Sequence, residues 1–193
     1  MKARSLSAAV VGAVLLPLMS CTDKGDSGSS GVNPCEVPDG NGGWSTSVAP
    51  ACVGETIVVD LSDGQAIDLD WADESDVACF PGTENLNFDG NHVFFWYAQP
   101  EGSVLTVSIQ PDDDVDASVY AIQSAGERYE VPPDVVSAVS CESGYDAQTD
   151  SNPGEAESVQ LTATTVGYDV LIGVAGAGGT TSGTVTLSLS LAQ

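Results

Sequence analysis

Apolar residues recur at every second position through most of residues 57–191. The series runs Ile57, Val59, Leu61; Ile67, Leu69, Trp71; Leu105, Val107, Ile109; Val159, Leu161, Ala163; Tyr168, Val170, Ile172, Val174; and Val185, Leu187, Leu189, Leu191. A period of two puts those side chains on one face of a strand and their neighbours on the other. Residues 93–98, VFFWYA, form an unbroken apolar run, as expected of a strand covered on both faces, and the short ASVYAI follows at 117–122. Turn signals separate the runs: Asp63-Gly64, Asp89-Gly90-Asn91, Pro100-Glu101-Gly102, Asn152-Pro153-Gly154 and the glycine-rich 176–183. No stretch shows a helical period. About eight short strands with alternating faces predict an all-β chain, an antiparallel β-sandwich of jelly-roll-like form, over residues 55–193.

The first 54 residues read differently. Lys2 and Arg4 precede an apolar stretch at 6–18 that is too short to span a bilayer, which needs about 20 such residues. It ends in Leu18-Met19-Ser20-Cys21, which resembles the bacterial lipobox. That resemblance implies a lipoprotein signal peptide at 1–20, cleavage before Cys21, and a lipidated Cys21 as the first mature residue. Two or three acyl chains on one residue make a stable anchor where one would be marginal. Thr22, rather than Asp, follows the cysteine, so the expected address is the bacterial cell envelope, at the outer membrane. Residues 21–34 are Gly, Ser and Asp-rich, a flexible tether unable to bury a core.

Charge excludes one class of partner. The formal net charge is −24, and the leader removes two of the four basic residues, leaving Lys24 and Arg128 against 28 acids. Such a chain repels phosphate backbones, so nucleic acid is not a partner. The expected partners are the membrane, through the lipid anchor, and an extracellular polymer or envelope protein. Four cysteines follow Cys21, which in an exported chain predicts two disulfides. Cys35 and Cys52 close a Gly-rich, strandless lead-in at 35–54 and are expected to pair. Cys79 and Cys141 then join two long loops.

Two segments carry a wider resemblance, NHVFFWYAQPEGSVLTVSIQPDDDVDASVYAI and ESVQLTATTVGYDVLIGVAGAGGTTSGTVTLSLS. The aromatic strand Phe94 to Tyr97, Pro100 and Gly102, Asp116 before Tyr120, Glu157, Gly167-Tyr168 and the alternating 184–190 occur in an order similar to the bacterial pre-peptidase C-terminal (PPC) domain. The resemblance covers about residues 91–191. It implies a jelly-roll-like sandwich of the kind appended to secreted enzymes and found in surface lipoproteins, generally non-catalytic, with some relatives binding calcium and matrix polymers such as collagen.

Several groups of residues are candidates for chemistry. Asp112, Asp113, Asp114 and Asp116 crowd one loop, and clustered carboxylates suit calcium. They lack the D-x-D-x-D-G spacing of an EF-hand, and the expectation is a solvated turn with no cofactor. Asp68, Asp70, Asp73, Glu74 and Asp76 form a second group, with Asp68 and Asp70 expected on the wet face of a strand; a glycosidase's acid and base would be such a pair. Gly25-Asp26-Ser27-Gly28 is similar to the nucleophile motif of trypsin-like proteases, but the sole histidine, His92, follows it rather than preceding it. No G-x-S-x-G elbow accompanies His92, which is expected to be structural. Trp44 has little around it in sequence to bury it and is expected to dock on the sandwich edge. No catalytic residue is assigned, and an enzyme is not expected.

Overall fold

The computed structural model describes residues 41–74, 79–124, 126, 128–145 and 152–193. They include ten strands: β1 (Val48–Pro50), β2 (Thr56–Asp60), β3 (Gln65–Ala66), β4 (Asn91–Gln99), β5 (Ser103–Pro111), β6 (Ala117–Gln123), β7 (Ser140–Gly144), β8 (Glu157–Ala163), β9 (Tyr168–Gly176) and β10 (Thr184–Ala192). One sheet runs β1-β4-β9-β6-β7, with β3 also paired to β4; the other runs β2-β10-β5-β8. The pairings between named strands are antiparallel except β1–β4. The chain is a β-sandwich.

The alternation resolves into one shared core. Leu105, Val107 and Ile109 of β5, Val159 and Leu161 of β8, and Val185, Leu187 and Leu189 of β10 meet Phe95, Tyr97, Val119, Val170, Ile172 and Val174 of the first sheet. The alternate residues of the second sheet, among them Ser158, Gln160, Ser188 and Ser190, stand in solvent. This sheet is wet on its outer face, as antiparallel sheets commonly are.

The first sheet is buried on both faces. Phe94, Trp96, Tyr120, Ile122, Leu171 and Ala175 point away from the shared core into a second cluster with Trp44, Trp71, Phe80, Phe88 and Val135. That is why 93–98 carries no polar alternation: Phe95 and Tyr97 face inward, Phe94 and Trp96 outward. Tyr120 is the hub, with the rings of Trp71, Phe80 and Phe88 about it at centroid distances of 6.1, 6.1 and 5.9 Å. Gly173 pairs with Tyr120 across the ladder, and a side chain there would run into the phenol ring. Each ring so buried contributes roughly 2–3 kcal/mol before the entropy of ordering its loop is subtracted.

The covering layer comes from connections rather than from a third sheet. A 3-10 turn (Gly82–Asn87), the short helix α1 (Asp70–Glu74) and the segment around Trp44 supply it. The Cys79–Cys141 disulfide ties this layer to β7. Cys52 is also disulfide-bonded. Its expected partner, Cys35, lies outside the described residues, as do Cys21, the signal peptide and the tether.

Four expectations are corrected. Ile67, Leu69 and Trp71 do not form a strand: pairing stops at Ala66, and Asp68 Oδ1 accepts from the Asp70 amide at 3.0 Å while the Ala72 amide donates to the Leu69 carbonyl at 3.0 Å. Trp71 and Ala72, adjacent in sequence, are both buried in the covering layer, which a helical turn allows and one strand face does not. The chain is therefore not helix-free. The lead-in is not strandless, since β1 lies within it. Asp68 and Asp70 are exposed, but on a turn and the start of α1 rather than on one strand face.

A buried amide network joins the two sheets at one end. Gln99 Nε2 donates to the carbonyls of Ser103 and Leu161 at 3.3 and 2.9 Å. Gln123 Nε2 donates to Gln99 Oε1 at 2.8 Å and to the Thr162 carbonyl at 3.2 Å, and Ser140 Oγ donates to Gln123 Oε1 at 2.6 Å. Every donor and acceptor of the two amides is used, so removing one partner strands several buried groups.

All three tryptophans lie in the second cluster, between the first sheet and its cover, with Trp44, Trp71 and Trp96 exposed by only 4, 6 and 5%. Intrinsic fluorescence is thus a reporter of that layer. The disulfide spans 62 residues, which corresponds to about 4 kcal/mol of loop-closure entropy. Urea unfolding of the Cys79→Ser, Cys141→Ser chain, followed by tryptophan emission, is expected to show a loss of that size. A loss under about 1 kcal/mol contradicts the cross-link's role in holding the layer. Replacing Gln123 with Leu is expected to cost about 2–4 kcal/mol in the same measurement, because Gln99 Oε1, Ser140 Oγ and a backbone carbonyl lose their partner; an unchanged midpoint contradicts the network.

Candidate functional site

His92 sits at the second position of β4 and is 1% exposed. Its Nε2 lies 2.7 Å from the Phe88 carbonyl and its Nδ1 3.0 Å from the Tyr120 hydroxyl. A carbonyl only accepts, so Nε2 carries the proton, and Nδ1 accepts from the phenol. Burial pushes the imidazole down to about 4, partly offset by the Phe88 carbonyl. Burial likewise raises the Tyr120 phenol well above its ordinary value. Both rings are held neutral and fully engaged. The pair binds the covering layer to β4 and β6 rather than reaching outward.

A surface pocket of about 230 Å³ opens beside His92, where β4 passes from pairing with β3 to pairing with β1. Ser47, Asp63, Gln65, Val93, Val131 and Pro132 are among its lining residues. Asn91 braces Gly64 of that lining: its Nδ2 lies 3.1, 3.3 and 3.0 Å from the carbonyls of Leu61, Gly64 and Thr181, clamping the β2–β3 turn to the glycine-rich loop. The pocket has one lining carboxylate, Asp63, and an imidazole with both nitrogens taken. Glycoside hydrolysis by paired carboxylates needs a second acid across the bond, which this lining does not supply.

The acidic loop between β5 and β6 is a tight turn. The Val115 amide donates to the Asp112 carbonyl at 2.9 Å, the Asp112 amide to the Thr184 carbonyl at 3.0 Å, and the Ala177 amide to the Asp116 carbonyl at 3.0 Å. Asp112, Asp113 and Asp114 are exposed, and Asp116 is half-buried. Among the described residues, no three His, Cys, Asp or Glu side chains come together as a metal-binding set. Of the second acidic group, Asp68 serves as the turn acceptor described above, and Asp76 lies outside the described residues. Gly25 to Gly28 lies outside them as well.

Sequence reasoning placed His92 among structural residues but did not reach its partner. The phenol of Tyr120 and the amides of Gln99 and Gln123 are polar ends inside apolar runs. That pattern is the available signal for a buried hydrogen-bonded group.

No family model matches the chain, and no curated protein matches it. Among solved structures it is similar to the pre-peptidase C-terminal domain of a collagenase from Bacillus anthracis, at 12% identity and a TM-score of 0.39 over 74% of this chain and 94% of that one. It is also similar to Aeromonas hydrophila PliG, a periplasmic inhibitor of g-type lysozyme, at 11% identity and a TM-score of 0.39 over 76% of this chain and 96% of that one. A third is CorA, a surface-associated copper-binding protein of Methylomicrobium album BG8, at 10% identity and a TM-score of 0.43 over 77% of this chain and all of that one. None of these assigns an activity to this chain. No helix among the described residues is long and apolar enough to cross a membrane.

His92 makes stability depend on pH. Its folded-state pKa, about 4, lies below the ordinary 6.5, so between those values the unfolded chain binds a proton that the native one refuses. The contribution is complete above pH 6.5 and is lost as pH falls towards 4, by about 3 kcal/mol in total. Wild type and His92→Gln share every carboxylate, so the comparison isolates the imidazole. The stability advantage of wild type over that variant is therefore expected to shrink by about that amount between pH 7 and pH 4. An advantage constant with pH contradicts the neutral, buried imidazole.

Proposed function

We propose that this chain is a lipid-anchored bacterial cell-envelope protein, held at the outer membrane by Cys21. Its β-sandwich works by binding, without catalysis. One observation carries the non-catalytic reading: the sole imidazole is bonded on both nitrogens inside an aromatic layer, beside a pocket lined by a single carboxylate. The imidazole that could have served as a general base is committed to holding the fold. Recognition then belongs to the exposed surface.

The outer face of the β2-β10-β5-β8 sheet is the surface we nominate. Thr56, Thr106, Ser108, Gln110, Ser158, Gln160, Thr162, Ser188 and Ser190 occupy outward positions, and the ladder sets Ser188, Ser108 and Ser158 in one row. The charged outward residue, Asp60, stands at the end of β2, where its carboxylate accepts from the Ser62 amide at 2.8 Å. A chain with so large an acid excess repels anionic polymers, and among the outward residues of this face Val58 is the strongly exposed apolar one. A neutral, hydroxyl-rich polymer suits it best.

Binding of the mature domain to insoluble neutral polysaccharides, with anionic polysaccharides as control, tests the reading. Retention on the neutral polymer, abolished by Ser108→Glu in a chain that keeps its β-sheet circular dichroism, is expected. Failure to bind any neutral polymer, or hydrolysis of one, contradicts it. Attachment is tested separately: Cys21→Ala is expected to release the protein from the envelope fraction, and a variant that still partitions into detergent sinks the anchor.

A further inference from the structure

Asn41-Gly42 combines a reactive pair of residues with a fold that requires both. The Asn41 Nδ2 donates to the carbonyls of Ser45 and Val48 at 2.6 Å each, with that of Trp44 at 3.5 Å. Its Oδ1 accepts from Trp96 Nε1 at 3.2 Å, and the Trp44 amide donates to the Asn41 carbonyl at 2.9 Å. One side chain therefore fastens the segment leading into β1 to an indole of β4. Only an amide carries donor and acceptor in this arrangement. Gly42 has φ +59°, and a Cβ there would lie 2.7 Å from the Trp96 ring, so glycine is required too. Yet a glycine after asparagine leaves the side-chain amide most open to attack by the following backbone nitrogen.

We propose that Asn41 is a self-modification site, gated by the docking of β1, whose reaction makes undocking irreversible. The Gly42 nitrogen attacks Asn41 Cγ and gives up its proton to solvent. The Cγ–Nδ2 bond breaks, Nδ2 leaves as ammonia, and a five-membered succinimide remains. Water opens that ring at either carbonyl, giving aspartate or isoaspartate. The net change is one water consumed and one ammonia released, with no oxidant or reductant.

While the clasp is closed, Nδ2 is engaged by two short hydrogen bonds and the segment is held in place, so the attack waits on opening. Two ordinary hydrogen bonds slow it by about thirtyfold. Afterwards the clasp cannot re-form. A carboxylate has no N–H for the Ser45 and Val48 carbonyls and turns a charged oxygen towards them. The isoaspartate form also lengthens the backbone beside Trp96. Among the described residues β1 pairs only with β4, so its release bares the β4 edge from Phe94 to Trp96.

The experiment ages the full mature chain in mildly alkaline buffer, natively and in urea. Conversion is followed by the one-dalton mass gain and by isoaspartate at residue 41, after cleavage at acidic residues. Native conversion about thirtyfold or more slower than in urea is expected. The aged native fraction, separated by charge, and the Asn41→Asp chain are both expected to show greater acrylamide quenching of tryptophan and a lower melting temperature. Should Asn41→Asp not accumulate, the separated aged chain serves for the comparison. Equal rates in the two buffers overturn the gating, and a modified chain with wild-type quenching and melting overturns the irreversible undocking.

Discussion

Burial of the β4-β9-β6 sheet on both faces is the constraint from which the rest of the architecture follows. A sheet with two apolar faces needs a second cover, and this chain builds one from connections rather than from further strands. Those connections contain little regular structure of their own, so they depend on what ties them down. Tyr120 gives them a hub of rings, and Cys79–Cys141 closes them onto β7. The cover also explains where the tryptophans are. None of the three is in the shared core between the sheets.

Several polar groups in and beside this layer find their partners in single side chains that make several bonds each. His92 uses both nitrogens, Asn91 holds together carbonyls of two loops, Asn41 fastens the β1 segment, and the Gln99–Gln123 pair bridges the sheets. Each satisfied group specifies one arrangement, because any slip leaves buried donors or acceptors unpaired. This is why the imidazole belongs to the architecture. The acids follow the opposite rule: Asp68, Asp70, Asp112, Asp113 and Asp114 stand on exposed turns, where solvent moderates their repulsion.

The sandwich was legible because the second sheet alternates cleanly, with Val, Leu and Ile inward against Ser and Thr outward. The continuous run at 93–98 likewise announced two-sided burial. What covers the outer face was not legible. Phe80, Phe88 and Trp71 are scattered among acids, glycines and prolines, and only their distance contacts with Tyr120 give them a common place. The error at Ile67 to Trp71 has the same origin: three alternating residues satisfy a strand pattern equally well before a turn, and the Asp68 hydrogen bond to the backbone decided the outcome. β1 and β7 were missed because short edge strands carry little pattern of their own. At the pocket, Asp63-Gly64 was read as a turn, but its position beside His92 depends on Asn91 bonding across to residue 181, a contact with no local signature.

Native-state hydrogen exchange measures the two-sided burial most directly. With the covering layer an integral part of the fold, the amides of β4, β6 and β9 exchange only through global unfolding, and their opening free energies converge on the value from urea denaturation. The amides of β2 and β8, at the edges of the sheet with a wet face, open at lower free energy. Exchange of Phe94, Trp96, Tyr120 and Leu171 through a low-energy opening, with Val107 and Leu187 still protected, would contradict that account and reduce the aromatic layer to a loosely held flap.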